Sequence, residues 1–176
     1  ILATEWPCFS NGTCATLAYR EIPAVGPGVT CVNPFPIPTL PFNDINASTC
    51  GAGDDYNSTH ACGSGYLNGE DFVYSYTTAG PECISLSINN TPGSHGLFVM
   101  DGCPDAPGTN CLAKIDTLGG NTLSGVSLPA AGTYYIVVSS QDPPRGCISY
   151  DLTVSECPVG NTCARPNVIA SLPFSN

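Results

Sequence analysis

Apolar and polar residues alternate along much of the chain. Over 83–88, Ile84, Leu86 and Ile88 fall on one face, and Ser85 and Ser87 on the other. Residues 148–154 repeat the pattern, with Ile148, Tyr150, Leu152 and Val154 set against Ser149, Asp151 and Thr153. A period of two is that of a strand with one face buried. The stretch 72–77, FVYSYT, mixes aromatic and β-branched residues with small polar ones and predicts another strand. Further short strands are predicted over 97–100, 112–117, 123–128 and 133–139. Residues 134–138, YYIVV, are apolar on both faces, which predicts a central strand. Turn signals separate these runs: Pro92-Gly93, Pro107-Gly108, Gly119-Gly120, Ala131-Gly132 and Pro143-Pro144. No window carries a convincing helical period. Seven or more short strands at this spacing predict an all-β fold, an antiparallel β-sandwich of jelly-roll or immunoglobulin-like type.

The ends of the chain read differently. Residues 1–31 are irregular and broken by Pro23, Gly26, Pro27 and Gly28, which predicts an arm or linker, or the tail of a preceding unit. Residues 32–42, VNPFPIPTLPF, hold four prolines and are excluded from a central strand, because proline lacks an amide donor. They are expected to lie as an extended edge or connector, with Ile37, Leu40 and Phe42 packed down. The sandwich unit itself is expected over 32–156.

Residues 31–44, CVNPFPIPTLPFND, reappear in register at 163–176, CARPNVIASLPFSN. Cys31, Pro34, Ile37, Leu40, Pro41 and Phe42 match Cys163, Pro166, Ile169, Leu172, Pro173 and Phe174. The competing explanation is a shared proline-rich linker composition. Cys8 and Cys14 are spaced like Cys157 and Cys163, and both pairs end in Thr-Cys. The chain therefore reads as one unit of about 130 residues, with 157–176 forming a disulfide loop and then the start of the next unit or a linking strand. Ile169, Leu172 and Phe174 are the expected inter-unit contacts.

Composition sharpens the picture. Only 10% of the 176 residues are charged, against about 25% in an average soluble protein. A formal net charge of −10 argues against nucleic acid and anionic membranes as partners. No run approaches the roughly 18 apolar residues of a membrane span. No charged and then apolar leader opens the chain, so Ile1 is expected to be a mature or internal start.

Eleven cysteines, with no CxxC and only His60 and His95 beside them, predict a disulfide set from an oxidising compartment and not a zinc site. Sequence proximity suggests Cys8–Cys14, Cys50–Cys62, Cys103–Cys111 and Cys157–Cys163. Cys83 and Cys147 both open predicted strands and are expected to join them. Cys31 is left unpaired, or bonded within the arm or to a neighbouring unit. Asn11, Asn46, Asn57 and Asn89 head Asn-x-Ser/Thr sequons, which suit a secreted, extracellular or cell-surface protein.

Catalytic motifs are missing: there is no GxSxG, HExxH, phosphate loop or Rossmann glycine pattern. His60 and His95, flanked by small polar residues, are expected to be solvated. No enzyme is expected. The loop 50–71 carries Asp54, Asp55, Glu70 and Asp71, with Asn57 and Asn68 between them. Calcium takes six to eight oxygens, so this loop is the candidate calcium site, with Asp44 and Asp101 as further ligands; otherwise calcium is not called for and these acids cap their own turns.

Several stretches together resemble the bacterial pre-peptidase C-terminal domain family. They are Leu-Pro-Phe at 40–42, CGAGDDY at 50–56, the turn and strand at 69–76, LFVMDGCP with the following CLA (97–113), LPAAGTYYIVVSS at 128–140, and YDLTV at 150–154. The resemblance implies a non-catalytic β-sandwich that accompanies secreted proteases, adhesins and surface arrays, with calcium bound in some relatives. Joined with the repeat, it predicts a structural module that self-associates into an extracellular fibre or surface array. The alternative is a carbohydrate- or surface-binding module of a larger secreted enzyme, with Trp6, Tyr56, Tyr66 and Tyr134 as an exposed platform for a glycan.

Overall fold

A computed structural model describes residues 26–91, 94–141 and 146–160. Among these residues nine strands form the fold: β1 (Phe35–Ile37), β2 (Phe42–Ser48), β3 (Phe72–Thr78), β4 (Glu82–Asn89), β5 (His95–Met100), β6 (Cys111–Ile115), β7 (Thr122–Leu128), β8 (Gly132–Ser140) and β9 (Ser149–Glu156). The one helical element among the described residues is a 3-10 turn, Gly65–Leu67. The strands build a five-stranded sheet, β1-β3-β8-β5-β6, and a four-stranded sheet, β2-β9-β4-β7. All pairs are antiparallel except β1 with β3. The two sheets make a disulfide-stapled β-sandwich.

Side-chain alternation supplies the core between the sheets. Ile84, Leu86 and Ile88 of β4 and Tyr150, Leu152 and Val154 of β9 meet Tyr74, Ile136, Val138, Leu97 and Val99 from the opposite sheet. The predicted central strand is β8, the middle of its sheet. Its second apolar face is covered as well: Val73, Phe98, Met100 and Val137 form a smaller cluster with Cys31, Tyr56 and Leu67. The loop 49–71 thus roofs the outer face of the five-stranded sheet, and β5 is buried at every position. Gly96 makes room for that roof, since a Cβ there would stand 2.8 Å from the Tyr66 carbonyl oxygen.

The proline-rich lead-in divides between the sheets. β1 runs along β3 at one edge of the first sheet, pairing Phe35 with Tyr74 and Ile37 with Tyr76. A cis Leu40-Pro41 bond follows. β2 then pairs with β9 at the edge of the second sheet, Phe42 opposite Val154. Edge positions tolerate the prolines. Ile37 is buried, and Leu40 and Phe42 pack against the core. β2 was not expected to be a strand: FNDINAS has little β character, and its ladder with β9 makes it one. A bulge between Asp44 and Ala47, with Asn46 at φ 59°, breaks the outer edge.

Residues 26–31, expected in the arm, join the packed unit. Val73 N–H donates to the Gly28 carbonyl at 2.7 Å, and Gly28, at φ +93°, lies so close to the Phe72 ring that a Cβ would collide with it. Cys31 is buried. The arm reading of residues 1–25 and the link reading of 161–176 lie outside the described residues, as do Trp6, Cys8, Cys14, Cys163, Ile169, Leu172 and Phe174.

Candidate functional site

The disulfides overturn the pairing by sequence proximity. Among the described residues the bonds are Cys31–Cys103, Cys50–Cys147, Cys62–Cys111 and Cys83–Cys157. The cause is strand register. β4 and β9 pair Ile84 with Glu156, so the next step of the ladder sets Cys83 beside Cys157, whose N–H donates to the Cys83 carbonyl at 3.0 Å. β2 and β9 pair Ser48 with Ser149, and two steps further Cys50 meets Cys147. β9 is thereby stapled to both its neighbours, one at each end. Cys50–Cys62, Cys103–Cys111, Cys157–Cys163 and Cys83–Cys147 do not form. Cys62–Cys111 ties the roof to β6. Cys31, expected to stand apart from the sandwich, is bonded to Cys103 at the end of β5, which fastens the lead-in.

The lead-in and the roof meet at Tyr56. Its ring is buried, and its hydroxyl accepts the Cys31 N–H at 3.0 Å and lies 3.9 Å from Cys103 Sγ. Burial pushes its pKa up to about 12, so the phenol stays neutral. Asp71 fixes the backbone on either side. Its Oδ2 accepts the amides of Asp55 at 3.2 Å and Tyr56 at 2.9 Å, while its own N–H donates to the Gly53 carbonyl at 2.8 Å. Asp71 is fully buried, and its Oδ1 has no hydrogen-bond partner among the described residues. Burial is the main force pushing its pKa up to about 7; the Ser139 hydroxyl and the two amides pull down, and Asp54 pushes up.

The four loop carboxylates do not converge. Asp71 points beneath the roof into backbone amides, and Glu70 accepts the Gly51 N–H through Oε2. Asp54 faces an open concavity with Asn57, Ser58, Thr59 and Asn68. Asp44 and Asp101 lie elsewhere: Asp44 accepts from the Tyr74 hydroxyl at 2.8 Å, and Asp101 holds Asn110 across the β5–β6 turn. Among the described residues no three of His, Cys, Asp and Glu form a metal-binding group. In the acids whose partners are described, oxygens spread along the sequence cap amides and take hydroxyl and side-chain amide donors.

Two other expectations change. His95 is buried, its Nε2–H donating to the Gly120 carbonyl at 2.9 Å while Nδ1 accepts the Thr91 hydroxyl at 2.8 Å. An apolar strand, β5, carries it inward despite its small polar neighbours. Tyr56 and Tyr134 are buried and Tyr66 is half-buried. Tyr134 bonds the backbone of Ala130. They form no exposed platform for a sugar.

A second polar junction joins the sheets. The Tyr74 hydroxyl on β3 donates to Asp44 Oδ2 on β2 at 2.8 Å, and the Tyr150 hydroxyl on β9 stands 2.8 Å from it. Both rings are fully buried, and burial raises both phenol pKa values. Sequence reading did not single out this cluster. The nearest signal is a polar Asp44 directly after Leu-Pro-Phe, facing two tyrosines on inward positions of their strands.

No protein-family model matches the chain. No curated protein matches it either. Among solved structures, it is similar to the pre-peptidase C-terminal domain of a collagenase from Bacillus anthracis, at 22% identity and a TM-score of 0.46 over 69% of this chain and 93% of that one. It is also similar to PliG of Aeromonas hydrophila, a periplasmic inhibitor of g-type lysozyme, at 17% identity and a TM-score of 0.46 over the same shares. The first is a domain of the family that the sequence motifs resemble.

Proposed function

We propose that this β-sandwich is a non-catalytic structural module, joined end to end with further copies in an extracellular fibre or surface array. The four disulfides among the described residues suit an extracellular or periplasmic space, where such bonds persist. One observation carries the reading. The lead-in 31–44 supplies an edge strand to each sheet and is fastened by Cys31–Cys103, and residues 163–176 repeat it in register. A tail that copies this segment, down to its cysteine and its polar last positions, fits the opening of a following sandwich. A donor strand for another subunit needs the apolar residues alone.

Reduced, denaturing electrophoresis of the material from its source tests the joint. A ladder or a very large product supports a tandem chain. A single band near the 18.1 kDa of these residues overturns it in favour of separate subunits. Filaments in electron micrographs support the fibre; dispersed monomeric particles refute it.

A further inference from the structure

Among the described residues, three sequons are open to comparison. Asn46, Asn57 and Asn89 are all exposed. They differ in what the hydroxyl two positions on is doing. Ser48 Oγ donates to the Ile148 carbonyl and accepts the Cys50 N–H at 3.0 Å, so it is turned into the β2–β9 edge. Asn46 itself sits in the left-handed bulge, its N–H held by Asp151 at 2.7 Å. Thr91 Oγ1 is engaged by the buried His95 ring. Thr59 alone of the three turns back to its own asparagine: its N–H and its hydroxyl both donate to Asn57 Oδ1, at 2.9 and 2.6 Å.

The surroundings of Asn57 also suit a sugar. Asn57, Ser58 and Thr59 are exposed together on the roof loop. They line an open polar concavity of about 480 Å³ with Asp54 and Asn68. Carboxylate and amide side chains are the usual partners of sugar hydroxyls. The loop beneath is held in place: Asn68 Oδ1 accepts the Ser58 N–H at 2.9 Å, and the Asn57 N–H donates to His60 Nδ1 at 3.2 Å.

We propose that Asn57 carries an N-linked glycan and is the preferred acceptor over Asn46 and Asn89. The donor is a sugar activated as a lipid diphosphate. Asn57 Nδ2 forms a bond to the anomeric carbon, the carbon–oxygen bond to the diphosphate breaks, and the diphosphate leaves with the electron pair. The amide proton goes to base. With only 10% of residues charged, a glycan adds hydration that ionised side chains do not supply. The site does not depend on how units are joined.

The test is site occupancy in the protein purified from its source. Treatment with a peptide N-glycosidase in heavy-oxygen water tags each formerly glycosylated asparagine as aspartate, and peptide mass spectrometry reads the tags. The highest occupancy at Asn57 is expected. An untagged Asn57, or occupancy at Asn46 or Asn89 equal to or above it, overturns the proposal. In a glycosylating host, Asn57→Gln and Thr59→Ala should each remove one glycan from the intact mass, while Thr59→Ser should keep it. Secreted Thr59→Ala that keeps the full glycan mass of the wild type refutes the assignment.

Discussion

The Tyr56 hydroxyl accepts the backbone N–H of Cys31 across a sequence gap of 25 residues, at 3.0 Å and out of water. This bond closes the roof of the five-stranded sheet onto the segment that starts the sandwich. Tyr56→Phe keeps the ring and removes the acceptor, leaving a buried amide unpaired. The expected cost is about 1–3 kcal/mol. Urea unfolding should show a lower midpoint with an unchanged slope.

Asp71 makes stability depend on pH. Its folded pKa of about 7 stands above the ordinary carboxylate value, so the folded state holds the proton more tightly than the unfolded chain does. Its contribution is fully present below the unfolded value and is lost as pH rises through about 7. Asp54, Asp55 and Glu70 lie on the same loop, so the readout is a difference between proteins. Asp71→Asn keeps one oxygen for the two amides and carries no charge. Wild type should lose stability relative to Asp71→Asn between about pH 4 and 8, by a few kcal/mol at roughly 1.4 kcal/mol per pKa unit. Parallel melting curves for the two proteins across that range would contradict this.

The cysteine network gives a direct chemical check. Non-reducing peptide mapping should recover Cys31–Cys103, Cys50–Cys147, Cys62–Cys111 and Cys83–Cys157. The Cys31–Cys103 bond spans 72 residues, and replacing both with alanine should cost about 4 kcal/mol by loop entropy. Recovery of a Cys50–Cys62 or Cys103–Cys111 peptide would refute the network.

Calcium should matter little. Asp71 and Glu70 already hold amides, so chelation is expected to empty no cage built on this pair. The melting temperature should stay within a degree or so with EDTA or millimolar calcium. A chelator-induced drop would show a site formed by groups other than the convergence expected of this loop.

The strands legible in the sequence were those whose burial is one-sided, such as β4 and β9, or complete, such as β8. There the side chains alone report the environment. β2 escaped because its strand character comes from the partner β9 and not from FNDINAS itself. The cysteines escaped for the same reason: Cys83 and Cys157 are neighbours through the register of two strands, and nothing local to either states that register. The loop acids were legible as a group, with metal ligation and capping both open, but not their capping partners, since which way a carboxylate points depends on the backbone beneath it. His95 was misread from its polar neighbours when its strand position decided its burial.

Asp44 offers the last test, because it joins the fold to the repeat. It accepts a hydrogen bond from the hydroxyl of the buried Tyr74, which stands 2.8 Å from the Tyr150 hydroxyl. Tyr74→Phe should cost about 2–3 kcal/mol, since it leaves the Asp44 carboxylate without this donor and Tyr150 without its partner. Tyr150→Phe should cost less, about 1 kcal/mol, because Tyr74 keeps Asp44. The repeat aligns Asp44 with Asn176. An asparagine oxygen can accept the same hydroxyl, whereas an apolar side chain cannot. If 163–176 opens a following sandwich, its equivalent of this junction must work with asparagine. Asp44→Asn should therefore stay within about 1 kcal/mol of wild type, and Asp44→Leu should lose about 2 kcal/mol or more by leaving the Tyr74 hydroxyl unpaired. Thermal unfolding of the two variants decides it. Equal losses in both would mean that the charge and not the acceptor holds the junction, and that Asn176 is no counterpart of Asp44.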